Sequence, residues 1–197
     1  MKAFKKIVCQ ETAPFAIRAE RASDVAAREA LLDASFGTNR YARTCQRLRD
    51  GRAPAEGLAF SAFHQGRLVG TVRLWHVNAG GVTALVLGPL AVDPSCRKLG
   101  VGAALMHHAL AAAKARGHAA IILLGDAPYY NRFGFSALKT LELSLPGPFE
   151  RDRLLGIELR DGALDGAWGM IVPTGMTAKR PRTRATAKAK LAAVSVA

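Results

Sequence analysis

The stretch AVDPSCRKLGVGAAL, residues 91–105, limits the fold more than any other part of this chain. A nearly all-apolar run over residues 82–92 predicts a strand buried on both faces. Gly88-Pro89 interrupts it. Proline has no N–H to give to a ladder, so a bulge or a splayed pair is expected there. After Asp93-Pro94 come a short basic segment, two glycines flanking a valine, and a helix predicted over residues 99–116 and closed by Gly117. The first four N–H groups of a helix have no intrahelical partner, and with the helix dipole they make an anion site. Glycine lets a phosphate approach the backbone closely because no Cβ intervenes. Arg97 and Lys98 add mobile positive charge. A glycine inside a helix costs about 1 kcal/mol against alanine, so two of them beside two basic residues favour a diphosphate cradle over a plain helix start. The spacing Arg-x-x-Gly-x-Gly differs from both the Walker and the dinucleotide-binding glycine patterns.

The remaining elements follow from periodicity and punctuation. Residues 15–20 alternate as a first strand. Ser23 is the expected cap of a helix that ends at Phe36-Gly37. A second helical stretch is predicted over residues 41–49. Residues 58–64 and 67–77 form a hairpin around Gln65-Gly66, and Gly80-Gly81 makes the next turn. A short buried strand is predicted over residues 119–124. A short segment, 127–132, leads to Phe133-Gly134-Phe135, and further strands are predicted at 138–145, 154–159 and 169–172. The pattern implies an α/β fold with a mixed, mostly antiparallel sheet and one central βαβ unit. A doubly wound nucleotide fold would alternate strand and helix throughout, and this chain does not.

A chain of 197 residues is expected to form one domain. The reading divides it into an N-terminal extension (1–14), a domain (15–173) and a basic, disordered tail (174–197). No apolar run approaches the roughly 18 residues needed to span a membrane, and the basic start does not read as a signal peptide. Three cysteines, Cys9, Cys45 and Cys96, have no metal-ligand spacing, so no metal is expected and a reducing cytoplasm fits best. The net charge is +13, and six of the basic residues follow Ala178 with no acid among them. Such a tail can touch nucleic acid through counterion release. No aromatics are interleaved to stack on bases, so residues 178–197 read first as solubilising and only secondarily as a nucleic-acid contact.

Three segments, in order and at matching spacing, resemble the GNAT superfamily of N-acetyltransferases. Arg97-Lys-Leu-Gly100-Val-Gly102 is similar to its Gln/Arg-x-x-Gly-x-Gly/Ala signature. Leu90-Ala-Val-Asp-Pro94 resembles the end of its fourth strand, and Tyr130-Asn-Arg-Phe-Gly134-Phe135 its Tyr-x-x-x-Gly-Phe segment. The stretch as a whole is most similar to the predicted acetyltransferases of YhbS type, and the likeness covers roughly residues 15 to 172. The resemblance implies a GNAT-like sheet splayed at a bulge in the fourth strand, with acetyl-CoA in the V between the fourth and fifth strands. It implies cofactor contacts along Leu90, Ala91 and Val92, with pantetheine amides paired to the backbone of Leu90 and Val92. The diphosphate would lie on the N–H groups of Arg97, Lys98, Leu99, Gly100, Val101 and Gly102. An amine would attack the thioester directly.

Amide formation from a thioester needs a neutral amine, a hydrogen bond for the oxyanion and a proton for the leaving thiolate. Tyr130 stands where the resemblance puts a thiol-facing phenol. Tyr129 competes, because only one of two neighbours is expected to face the cleft. Many members of the superfamily carry a glutamate on the fourth strand, whereas residues 82–92 hold no carboxylate. Asp126 and His76 are the substitute bases; otherwise a water chain, or an amine already neutral in its pocket, serves. Cys96 reads as incidental. Arg40, Arg43, Arg47 and Arg49 could suit an acidic acceptor, although a solvated basic face is the simpler reading. The expected activity is acetyl transfer to a primary amine of a small molecule or protein, by a monomer or a homodimer. The alternatives are a non-catalytic acyl-CoA-binding module and a nucleic-acid-associated protein working through its tail.

Overall fold

Two hairpins organise the sheet. The computed structural model describes residues 14–178, and nearly all of the expected N-terminal extension and most of the basic tail lie outside them. The first hairpin joins β2 (Ala59–His64) to β3 (Arg67–Ala79), and the second joins β3 to β4 (Val82–Leu87). β1 (Ala16–Ala19) adds to the free edge of β2. Beyond β4 the chain makes the two-residue strand β5 (Ala91–Val92), the helix α2 (Val101–Ala115) and the strand β6 (Ala120–Leu124), which lies parallel to β4. β8 (Leu154–Glu158) closes that edge antiparallel to β6. The strand order is β1-β2-β3-β4-β6-β8. β9 (Gly169–Pro173) pairs with the far end of β3 and, in parallel, with β7 (Leu143–Ser144). The remaining helices are α1 (Val25–Phe36) and the single turn α3 (Ala127–Tyr130).

Both faces of the sheet are covered, which is why the central strands are apolar without alternation. On one face Leu74, Leu85, Ile121 and Leu123 meet Leu105, Met106 and Ala109 of α2. On the other, Trp75, Val86 and Ile122 meet Leu48, Leu143, Leu164 and Ile171. α1 brings Leu31 and Leu32 against Leu68 and Ala91.

The interruption at Gly88-Pro89 is a true bulge. Leu74 pairs with Leu87, and Thr71 pairs with Ala91, so two residues of β3 face three of the opposing chain. The ladder between β4 and β6 stops at Val86 and Ile122. Past that point β5 stays with β3, while Leu123 and Leu124 pair only with β8. The sheet therefore opens between β5 and β6. The Asp93 N–H donates to Val69 O at 2.8 Å, toward β3. Alternation along the strand then directs the peptide groups of Val92 and Leu90 the other way, into the gap.

Ion pairs tie β1 and α1 to the sheet. Glu20, just past β1, accepts from Arg73 Nε of β3 at 2.7 Å and pairs with Arg28 of α1, with only 8% of its side chain exposed. Asp24 accepts from the Arg21 N–H at 2.8 Å and from Arg18. It is this carboxylate, and not Ser23, that holds the turn entering α1, because the helix proper begins only at Val25. At the mouth of α2, Asp93 accepts from the Ser95 N–H at 2.9 Å and pairs with Arg67.

Two predicted elements take other forms. The helix expected over residues 41–49 is a pair of 3₁₀ turns, Thr38–Ala42 and Thr44–Leu48, separated by extended Arg43. Thr44 and Arg47 donate to the carbonyls of Pro148 and Pro146, and these ties across the cleft override helical continuity. Of the strand expected over residues 138–145 only β7 forms; the segment begins as a 3₁₀ turn, Ala137–Thr140, started by the Ser136 hydroxyl and anchored by Thr140 to Leu154 O at 2.6 Å. Residues 175–178, which the sequence reading assigns to the tail, hydrogen-bond to residues 51–53.

Leu105→Ala is expected to lower unfolding free energy by about 2–5 kcal/mol, read by urea denaturation with tryptophan fluorescence. The Asp93 carboxyl is held down to about 2 by Ser95 and then Arg67, against about 3.9 in an unfolded chain. A lowered acid stabilises the fold above its unfolded pKa and loses that contribution as pH falls through the folded value. The stability gap between wild type and Asp93→Asn should therefore be full above about pH 4 and shrink toward pH 2.

Candidate active site

The segment between β5 and α2 forms a shallow bowl. Residues Pro94–Leu99 make a 3₁₀ turn, and Gly100 reverses the chain with a left-handed φ of 76°. The first bond of α2 runs from the Ala104 N–H to Gly100 O at 3.0 Å. That leaves the N–H groups of Val101, Gly102 and Ala103 without intrahelical partners. A cavity of about 350 Å³ lies on this helix end. Six of the expected cofactor-contact residues line it: Leu90, Ala91, Val92, Arg97, Gly100 and Gly102. The other three do not. Lys98 and Leu99 are exposed on the outside of the turn, and the Val101 side chain is buried in the core under α2. Cys96 is buried beneath the turn.

A second cavity, about 1020 Å³, continues from the first and shares Phe36, Leu90, Arg97 and Tyr129 with it. It runs through the gap between Leu87–Leu90 and Leu124–Asp126, that is, through the splay of the sheet. Tyr129 and Tyr130 both line it. The expectation that only one would face the cleft fails because successive residues on a helical turn diverge by about 100°, not by the half-turn of a strand. Their rings meet edge to face, 4.9 Å between centroids. Tyr129 crosses to the α2 terminus: a Cβ on Gly102 would lie 2.8 Å from its hydroxyl. Arg132 stacks on the outer face of that ring at 4.4 Å. Tyr130 packs on Gly125 and is largely buried; burial, then the neighbouring Tyr129 and Asp126, push its phenol up to about 12.

Asp126 is exposed at the lip of the larger cavity. Its carboxylate makes no capping bond to α3; its backbone carbonyl accepts from the Tyr129 and Tyr130 N–H groups. His76 is elsewhere. It lies at the far end of β3, lines neither cavity, and faces His118 at 5.3 Å. The two histidines and Arg116 lie close enough that burial, with their charges, pulls the His118 pKa down.

Half of the basic run is the solvated face expected of it: Arg43 and Arg47 are exposed, whereas Arg40 and Arg49 are not. Arg40 is buried and bonded to Asp33 at 2.7 Å, with Glu29 as a second partner. Arg47 donates to Pro146 O, and Arg43 leans on the Phe36 carbonyl. Arg49 turns inward and lines the larger cavity, as do Arg43, Arg97 and Arg153. Ser35 and Phe36, at the end of α1, line the smaller one. Neither α1 residue stands out in the sequence, because only the packing of α1 on Ala91 carries it to the cleft.

Among the described residues no helix is long and apolar enough to cross a membrane. The sequence pattern of the Acetyltransferase (GNAT) family matches residues 25–135. The uncharacterized N-acetyltransferase YhbS of Escherichia coli strain K12 is 31% identical over 157 residues, covering 79% of this chain and 93% of its own. The structure of E. coli YhbS in complex with CoA superposes with a TM-score of 0.71 at 29% identity, over 83% of this chain and 91% of that one. A GNAT family acetyltransferase from Brucella melitensis in complex with acetyl-CoA superposes at 0.56 with 26% identity, over 74% and 97%. With the splayed sheet, the glycine-lined helix end and these matches together, the chain belongs to the GNAT family of N-acetyltransferases.

Proposed function

We propose that the protein transfers the acetyl group of acetyl-CoA to a primary amine by direct attack. The observation that carries this reading is the bulge that opens the sheet beside the unpartnered N–H groups of α2. Open peptide groups, the bowl at the helix end and the gap in the sheet then line up as one continuous cleft. The fit to the cosubstrate is chemical. Gly102, with no side chain, lets the Tyr129 hydroxyl close over the bowl that it helps to line, and Arg97 sits at the rim. Two structural relatives bound to CoA and acetyl-CoA support the same assignment.

Bound acetyl-CoA supplies an activated acyl carbon and a thiol leaving group. The chain supplies the rest. The N–H groups at the α2 terminus and Arg97 hold the diphosphate. The peptide groups of Leu90 and Val92 orient the pantetheine arm as an added strand would. Tyr130 keeps its proton at any working pH, since its phenol stands at about 12. The departing sulfur would develop its charge in the same water-poor pocket, where desolvation raises its own proton affinity, and it draws that proton. Tyr129 serves as the lid over the cradle. No carboxylate lies on β4 or β5, so proton removal from the amine falls to Asp126 at the lip, directly or through water. The absent strand carboxylate also favours a second reading, an acyl-CoA-binding module without turnover.

Calorimetric titration of the full chain with acetyl-CoA tests the reading; absence of binding would sink it, and binding without thioester loss for any amine would favour the second. Gly102→Glu places a carboxylate against the diphosphate and should abolish measurable binding. Tyr130→Phe should leave acetyl-CoA affinity near wild type and lower kcat by about 100-fold or more. Tyr129→Phe should do the reverse, changing affinity more than kcat. Steady-state kinetics on the two variants would reverse these roles if Tyr129 is the donor.

A further inference from the structure

Arg49 is an anomaly among the inward-facing arginines. Arg28, Arg40 and Arg73 each meet a carboxylate. Arg49 meets none among the described residues. Its Nε is sealed from solvent without any hydrogen-bond partner. Its guanidinium lies beside the bulge, with Nη1 3.8 Å from where a Cβ on Gly88 would be. The side chain lines the larger cavity, as do Tyr130 and Asp126.

The charges around it do not answer it. Five arginines line that cavity against two carboxylates, Asp126 and Glu150. Arg40 is satisfied by Asp33, and Arg153 lies 3.7 Å from Glu150. Asp50, the nearest acid in sequence, is occupied by Gln46 on the outer surface. Burial, with Arg40 and Arg73 nearby, pulls the Arg49 pKa down even though Cys45 and Asp50 oppose this. A guanidinium whose Nε is sealed from water and that has no counter-charge is costly, and an anion entering the cavity would supply the missing partner.

We infer that the acceptor is a small amine carrying an anionic group, a carboxylate or a phosphate, and that Arg49 receives this group at the floor of the cleft while the amine faces the thioester. The inference rests on the acetyl-transfer reading above. A planar guanidinium fork matches either oxyanion in two-point contact. A compact anion can enter the cavity that Arg49 lines, whereas an extended acidic surface cannot. The surrounding cations also favour the uncharged form of the amine, the form that attacks. An amine whose charge is shed in the pocket and whose anion is held would need less help from a strand carboxylate.

Nitrogen–proton correlation spectra of the arginine Nε–H groups test this on the full chain saturated with CoA, with the Arg49 signal identified by its loss in Arg49→Lys. The probes are two matched pairs: β-alanine against β-alaninamide, and phosphoethanolamine against ethanolamine. The expected result is a saturable shift of the Arg49 signal with the anionic member of one pair and none with its neutral partner; the pair that responds distinguishes carboxylate from phosphate. Where the same amines turn over, the anionic member should be preferred by at least about tenfold in kcat/KM, and Arg49→Gln should erase the preference. CoA alone shifting the Arg49 signal would assign Arg49 to the cofactor and overturn the inference. So would CoA binding with no shift from any anion. Failure of CoA to bind would instead overturn the acetyl-transfer reading, and titration of the CoA-free chain with the same probes would still report on Arg49.

Discussion

One mismatch of register governs the working half of the molecule. Two residues of β3 oppose three of the chain from Gly88 to Leu90. The bulge is held on both sides, so it is not slack. Upstream, Val86 is locked to Ile122; downstream, Asp93 N–H reaches Val69 O, and Trp75 Nε1 donates to Gly88 O at 2.6 Å. With an unbroken register β5 would have stayed beside β6, and the ladder would have consumed the peptide groups that now face the gap. The larger cavity and the open peptide groups of β5 both follow from that one extra residue.

The cleft that results has two unlike ends. Toward α2 it is built from backbone: glycines, open N–H groups and a strand edge. Toward Arg49 it is built from side chains, several of them cationic, on segments that are not regular helices. Backbone recognises features that any nucleotide-bearing thioester shares, whereas side chains recognise what differs between acceptors. Tyr129 and Tyr130 stand at the junction, one leaning on Gly102 and the other on Gly125.

The backbone end was legible in the sequence. Asp93-Pro94, Arg97 and the two glycines announce a turn and an open helix start through local chemistry alone, and the Gly88-Pro89 break announces the bulge. The hairpin turns were equally plain. What escaped depends on contacts distant in sequence. The turns over residues 38–48 are set by carbonyls at Pro146 and Pro148, about a hundred positions away. The entry to α1 is set by Asp24 because Arg18 and the Arg21 N–H converge on it, which no Ser-versus-Asp preference could decide. His76 was indistinguishable from a cleft residue until the pairing of β3 with β9 put it at the other end of its strand. Arg49 looked like its solvated neighbours because four arginines in ten residues carry no hint of which one turns inward.

The carboxylate of Glu20 joins three elements through two arginines, Arg28 on α1 and Arg73 on β3. Losing Glu20 alone would strand Arg73 and leave Arg28 only Glu29; losing either arginine would leave Glu20 with one partner in a water-poor space. The three positions therefore form a unit of inheritance. Across descendants of this chain they should be kept together or exchanged together, most readily for three apolar side chains of similar bulk, with intermediate combinations rare.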